Sequence, residues 1–501
     1  MKRFLFTAFI IVLSAGFLIA QEQPKEKKKV ELISAVSLRY DKDIPGVKRL
    51  IGDVAFKHNG TYMFCDSAYF AENENYIEAY GNIQINQNDT VRIWGKKLIY
   101  NGEDRIAELH DSVVMEDGKM TLFTNHLNYD MNAKTAQFYD SGYIFDKENT
   151  LESLMGFYYV DKGEFFFKKD VVLTNPKYVM TSDTLLYNTQ SKISYFFGPT
   201  EIVGKDNYIY CENGWYNTEK EVSQFNKNAF LRDKNQTLEG DSIYYNRTQG
   251  FGKGFGNVKI SDTIEKTVIS GDYGQYDEVK DESFVTGNAL LTKVSDGDSM
   301  FLHADTLQAY FDTTNQCKSA FAYHNVKMYK SDLQGLCDSL VYNYTDSLIR
   351  LYKKPVIWSD KTQLTAEYIE LRIKNKDLES ALMKDAAFMI SEKDTIRYDQ
   401  VKGKVITGYF SNRELYKLIV EGNGETIYYM DEENKSQLGI NKAESSEIVI
   451  YFLDQEVNRI SFKVMPTAVL YPPDKLSSEE KKLKDFRWLA PIRPKSKADL
   501  F

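Results

Sequence analysis

Histidine, cysteine and proline are scarce in this chain and basic residues are outnumbered by acidic ones, and these shortages narrow what it can do. The five histidines, at 58, 110, 126, 303 and 324, form no H-E-x-x-H motif and no other close ligand pair, so no metal site is legible. No G-x-S-x-G elbow presents a nucleophilic serine. The formal net charge of −9 argues against nucleic acid, whose phosphates require clustered Lys and Arg. A mean hydropathy of −0.45 with 27% charged residues excludes a polytopic helical membrane protein. Only 10 prolines stand against 35 Tyr and 30 Phe, and aromatic side chains suit pleated, half-buried surfaces, which favours a β-rich protein.

The one long apolar run is N-terminal. Lys2 and Arg3 precede "FLFTAFIIVLSAGFLIA", which ends at Ala20 before the polar "QEQPKEKKK". This order predicts a secretory signal peptide over residues 1–20, with an uncleaved inner-membrane anchor as the alternative. The absence of a nearby Cys argues against a lipoprotein signal. Residues 21–44 then read as a polar tether of an exported, periplasmic chain.

A repeated strand organises the chain from residue 45 onward. With Asp183 of "MTSDTLLYN" as position zero, the pattern recurs at Asp66, Lys96, Asn125, Leu154, Glu212, Asp241, Asp272, Asp305, Asp338 and Glu367, in steps of about 28 to 33 residues. Position −3 is apolar in every copy but the one with Gly335, position −1 is always small, and positions +2 and +4 are mostly apolar or aromatic. The inner residues therefore run −3, −1, then +2, +4. A regular strand alternates with period two, so this change of parity predicts a bulge or sheet corner at positions 0 and +1, with the residue at zero facing solvent. A second strand lies between these copies, introduced by Gly and Asn or Asp, as in "GNIQI" (81–85), "GNVKI" (256–260) and "GNALL" (287–291).

These features predict an all-β fold: a long, repetitive antiparallel meander of bent strands forming a twisted trough. At about 4.8 Å per strand, about 22 strands extend on the order of 100 Å. The repeats occupy residues 45–370, further strands over 371–465 continue or cap them, and 466–501 form a tail. Within that tail Ser477 and Glu480 match a capping box and predict a short helix.

Candidate chemistry thins out under this pattern. Cys65, Cys211 and Cys337 fill the small −1 slot and read as buried small side chains rather than disulfides, while Cys317 lies outside the pattern. The acids at zero are too regular, and too often replaced, to form a catalytic pair. "GFGKGFGN" (250–257) sits between two β motifs and reads as a hairpin turn, not a phosphate loop. No catalytic residue, metal or cofactor is expected. The terminal Phe501 is not preceded by the alternating strand of an outer-membrane barrel.

The copies "MTSDTLLYN", "LEGDSIYYN", "LHADTLQAY" and "GLCDSLVYN", alternating with "GNIQI", "GNVKI" and "GNALL", make residues 45–370 similar to the OstA/LptA-like family. The resemblance implies a β-jellyroll whose V-shaped interior holds the acyl chains of lipopolysaccharide on the way to the outer membrane. It also implies end-to-end stacking of such units, and the open edge strands of the trough invite strand addition by other lipopolysaccharide-transport components or a second copy. The chain is longer than the single-module bridge proteins and lacks the length for the translocon's barrel.

The expected reading is a non-enzymatic lipid bridge. Its groove would be lined by Ile93, Leu98 and Tyr100, by Leu122, Leu127 and Tyr129, and by Met180, Leu185 and Tyr187. Leu238, Ile243 and Tyr245, then Leu302 and Leu307, then Leu340 and Tyr342 continue it. The alternative is a structural or adhesive exported β-solenoid with a dry interior.

Overall fold

In the computed structural model the described residues are 28–501, apart from 41–44, 89, 119, 147–148, 296, 313–315, 376, 413, 432–436 and 454–455. The expected signal peptide lies outside them. Among the described residues the chain forms 34 strands and two short 3-10 turns, and every strand pairing is antiparallel. The expected all-β jellyroll-type meander is present. Residues 31–40, expected in the tether, instead contain strands Glu31–Ser34 and Ser37–Tyr40, which pair with Val47–His58 and cover an otherwise open edge.

The chain divides into two compact units. Unit 1 comprises residues 1–146 and 157–161, and unit 2 comprises 147–156 and 162–501. The interior of unit 2 runs through residue 370 without a break, from Val285 to Ile450 in one apolar cluster.

The predicted bend exists, but its extra residue sits on the other strand. Thr184 pairs with Lys168 and Ser182 with Val171, so Asp183 alone faces the two residues Lys169 and Asp170. On its other side Asp183 faces Gly198 and Pro199. The same single extra residue recurs where Cys65–Asp66 face Gly81–Ile83, where Gly240–Asp241 face Gly256–Val258, and where Asp305 faces Gly287–Asn288. Thus "GN" does not introduce a strand; it is a bulge in the middle of one. Both bulge residues are left-handed, with φ of 65° at Gly256 and 49° at Asn257, which explains the Gly–Asn preference. For the same reason "GFGKGFGN" is not a hairpin turn: residues from Phe251 onward belong to strand Phe251–Asp262, and the last Gly–Asn is its bulge.

The acid at zero caps this bulge. The Asn257 amide donates to both Asp241 carboxylate oxygens at 3.1 Å, the Asn82 amide to Asp66 at 2.9 and 3.2 Å, and the Asn288 amide to Asp272 at 3.0 Å. Ser339, Lys353 and His324 around Asp338 hold its carboxyl down to about 2. As expected, Asp183 is exposed while Ser182 and Leu185 are buried on either side of the bend. At the hairpin ends, the Asn after the repeat tyrosine folds the turn: the Asn188 side-chain oxygen accepts from the Gln190 and Ser191 amides at 2.9 and 2.8 Å.

The expected C-terminal helix does not form. Ser477 and Glu480 do make the capping box, at 2.9 and 3.3 Å, but only turns come after it. The backbone is engaged elsewhere. The Leu483 amide donates to Gln400 Oε1 at 2.8 Å and the Leu489 amide to Gln363 Oε1 at 2.7 Å, while Arg493 Nε donates to Gln334 Oε1 at 2.6 Å. Three buried glutamines thus hold an extended strap against the outer face of unit 2. Leu476 and Leu483, with Phe486 and Trp488, build a second core there on Phe388, Ile390, Ile427 and Tyr429.

Candidate functional site

Register places the inner residues in rows that run across the strands. In unit 1 the −3 row reads Phe56, Met63, Ile85, Ile93, Met115 and Leu122, each directly opposite the next. The +2 row carries Leu98, Leu109 and Leu127, and the +4 row Tyr100, Ala107 and Tyr129. All six groove residues expected here, Ile93, Leu98, Tyr100, Leu122, Leu127 and Tyr129, are at most 2% exposed.

Hydrogen bonds across the interior close this unit. The rows before and after the bend lie on two facing wings, and a buried polar row borders the −3 row: His58, Thr61 and Gln87. The Tyr100 hydroxyl meets His58 Nδ1 at 2.7 Å, while His58 Nε2 lies 2.7 Å from the Lys28 carbonyl. With Nε2 donating to that carbonyl, Nδ1 accepts from Tyr100. The Tyr129 hydroxyl donates to Gln87 Oε1 and the Tyr158 hydroxyl to Asp117. Burial pushes the Tyr100 hydroxyl up to about 12 and lowers the His58 ring, so both groups are neutral at pH 7.

Unit 2 uses the same rows differently. Its −3 row passes in register through Met180, Ile202, Ile209, Leu231, Leu238, Ile260, Ile269, Leu291 and Leu302. From Ile202 to Leu291 every member is half-buried rather than buried. The +4 row opposite alternates large and small: Tyr187, Ser194, Tyr216, Ser223, Tyr245, Gly252, Tyr276 and Ser283. Tyr276 is 38% exposed, and Tyr187, Tyr216 and Tyr245 are half-buried. Among the described residues the hydroxyls of Tyr216, Tyr245 and Tyr276 make no bond across the interior.

The floor of this stretch is nonetheless packed. Leu185 and Ile243 of the +2 row are 0% and 2% exposed, and Cys211 of the −1 row is 1%. Gly214 leaves room for the Phe196 ring, and Gly271 for Val285. The structure therefore brings the expected residues of unit 2 onto one inner face, at two depths. Leu185, Ile243 and Leu307 form the buried floor, with Leu340 beyond them, whereas Leu238, Tyr187 and Tyr245 are half-open, as is Tyr342. Met180 and Leu302, 4% and 8% exposed, bracket the open stretch. Sequence reasoning missed Ile202, Leu231, Ile260 and Leu291, although their alternation in the intervening strands carried the signal.

All four cysteines are free. Burial pushes the thiols of Cys65 and Cys337 up to about 12 and that of Cys211 to about 11, which keeps them protonated and unreactive. Among the described residues no cluster of three or more His, Cys, Asp or Glu could hold a metal ion.

The bent-strand repeat with its acid-capped Gly–Asn bulge is matched by two family models. The OstA-like protein model covers residues 27–183 and 179–241, and the LptA/(LptD N-terminal domain) LPS transport protein model covers 268–377. The chain is an OstA/LptA-like protein. Among solved structures it is similar to LptH, the LptA homologous periplasmic component of the conserved lipopolysaccharide transport device from Pseudomonas aeruginosa. That likeness has 17% identity and a TM-score of 0.23, and covers 28% of this chain and 99% of that one. No curated protein matches. In this OstA/LptA-like chain the first family model falls on the filled unit and the start of the open stretch, and the second on the end of that stretch and the strands after it. No helix among the described residues is long and apolar enough to cross a membrane.

Proposed function

We propose that the chain is a non-enzymatic periplasmic bridge that shields the acyl chains of lipopolysaccharide during transport to the outer membrane. The observation that carries this reading is the unbroken apolar row from Ile202 to Leu291, half-exposed along its whole length and facing tyrosines spaced by small residues. Each acyl CH₂ moved from water onto such a surface gains roughly 0.8 kcal/mol. A row without a deep pocket permits sliding, and the Ser and Gly between the tyrosines leave gaps in which a chain can lie. Export is inferred from the N-terminal segment, and the transport role from the two families that the chain matches.

Partners would join at strand edges. Thr467–Tyr471 is almost wholly exposed, with Val469 and Leu470 44% and 51% accessible, and offers an edge for another transport component or a second copy. A dry scaffold is the second reading, and the filled interior of unit 1 favours it for that unit.

The reading is tested with purified full-length chain carrying a fluorescent apolar probe. Lipopolysaccharide is expected to displace the probe, and Leu238→Asp to weaken both ligands about tenfold or more. A chain that binds neither probe nor lipopolysaccharide is a scaffold.

A further inference from the structure

The outer face of unit 2 carries a cleft unrelated to the apolar interior. Strands Tyr368–Lys374, Asp377–Glu392, Tyr398–Ser411 and Glu414–Asp431 pair in that order. Their inner residues are packed: Ile369, Met383, Ile406 and Val420 are at most 1% exposed. The alternate residues point the other way. Glu370, Leu382 and Thr407 form one row there, and Arg372, Ser380 and Tyr409 the next. Together with Glu379, Phe410, Ser411 and Tyr416 they line an open cleft of about 1000 Å³ on the sheet face.

Two bulges shape it. Arg372 pairs with Ser380 and Ile373 with Leu378, which leaves Glu379 as an extra residue; Tyr409 pairs with Lys417 and Phe410 with Leu415, which leaves Tyr416 extra. Bulges re-aim side chains, and both extra residues line the cleft. The four strands are hydrogen-bonded to one another across it, so no open strand edge is offered to a peptide and recognition falls to side chains.

We propose that this cleft binds a saccharide. A sugar ring has an apolar C–H face and a rim of hydroxyls. Tyr416, 45% exposed, presents a ring for the first, while Lys417 covers Tyr409 at 5.6 Å. Ser380, Thr407 and Ser411 supply hydroxyls for the second. The carboxylates are already oriented, Glu370 by the Tyr368 hydroxyl at 2.9 Å and Glu379 by Lys374 at 2.8 Å. Both carboxylates already have a cation, Glu370 the Arg350 guanidinium at 3.5 Å and Glu379 Lys374, so they stay ionised as acceptors for sugar hydroxyls while Arg372 serves as a donor to those hydroxyls. The cleft chemistry stands without the lipid reading, on which only the source of the sugar rests: the hydrophilic part of the same glycolipid.

Saturation-transfer NMR on the full chain tests it, with two probes: the oligosaccharide released from lipopolysaccharide by mild acid, free of acyl chains, and a neutral glucan. Transfer to the released oligosaccharide is expected, reduced at least fivefold by Tyr416→Ala and by Arg372→Ala but unchanged by Leu238→Asp, which disables only the lipid row. Tyr416-dependent transfer to the glucan alone keeps the saccharide site and makes a free glycan its ligand. Transfer to neither probe, or transfer that both cleft variants leave intact, overturns the proposal, whatever Leu238→Asp does to lipid binding.

Discussion

Tyr100 and Tyr245 hold the same place in the repeat, four residues past the bend. Tyr100 is 0% exposed and bonded to His58 on the facing wing, whereas Tyr245 is half-buried and makes no bond across the interior among the described residues. The difference lies in the row that borders each mouth. In unit 1 that row is His58, Thr61, Gln87 and Val91, uncharged residues that can be buried, with His58 and Gln87 hydrogen-bonded across the interior. In the open stretch of unit 2 it is Asn207, Asp233, Gln236, Asp262, Thr267 and Lys293, whose charges must stay hydrated. One repeat therefore builds either a filled core or an open apolar row, and the outermost inward position decides which.

The largest expected effect tests the filled side. Leu98→Ala should cost unit 1 about 2–5 kcal/mol, because its surroundings cannot relax into the cavity, while Leu238→Ala, already half in water, should cost clearly less. Hydrogen-exchange protection of each unit under denaturant measures both, and equal costs would erase the distinction. Next, Gln87→Ala should destabilise unit 1 by about 1–3 kcal/mol, since it strands the Tyr129 hydroxyl without a partner. Gly256→Ala, in the open stretch, should cost about 1–2 kcal/mol from left-handed strain alone, and more because a Cβ there would strike the Asp241 carboxylate. The smallest effect is one of pH. Burial depresses the His58 ring below its ordinary 6.5, so the stability it contributes is complete above pH 6.5 and is lost as the pH falls towards the folded value. Unit 1 should lose protection on acidification and His58→Gln should flatten that slope; a slope unchanged by the substitution would show that the latch does not sense protons.

Much of the fold is legible in the sequence. Period-two patterning with a parity break locates the bend, the small residue before it and the exposed acid at zero, because each position is constrained by local sterics. The strand that carries the bulge is not read correctly from that pattern: the extra residue belongs to Gly–Asn, and the signal is the constant 16-residue separation of Asn82 from Asp66, Asn257 from Asp241 and Asn288 from Asp272. The filled and open interiors read alike, since Leu, Ile and Tyr occupy the inner positions of both. What separates them is the outermost inward row, uncharged in one and charged in the other, and its bonds to tyrosines 42 residues on, His58 to Tyr100 and Gln87 to Tyr129, a pairing that no local pattern encodes. The helix predicted from Ser477 and Glu480 fails for a similar reason: distant Gln400 and Gln363 capture amides of the strap beyond it.

The central claim is that lipid meets the open row and not the filled one. Photo-crosslinking residues placed singly at Leu238 and at Ile93, equivalent −3 positions, test it in cells that make lipopolysaccharide. Adducts at 238 with none at 93 are the predicted result. Adducts at 93 but not at 238, or at neither position, would contradict it.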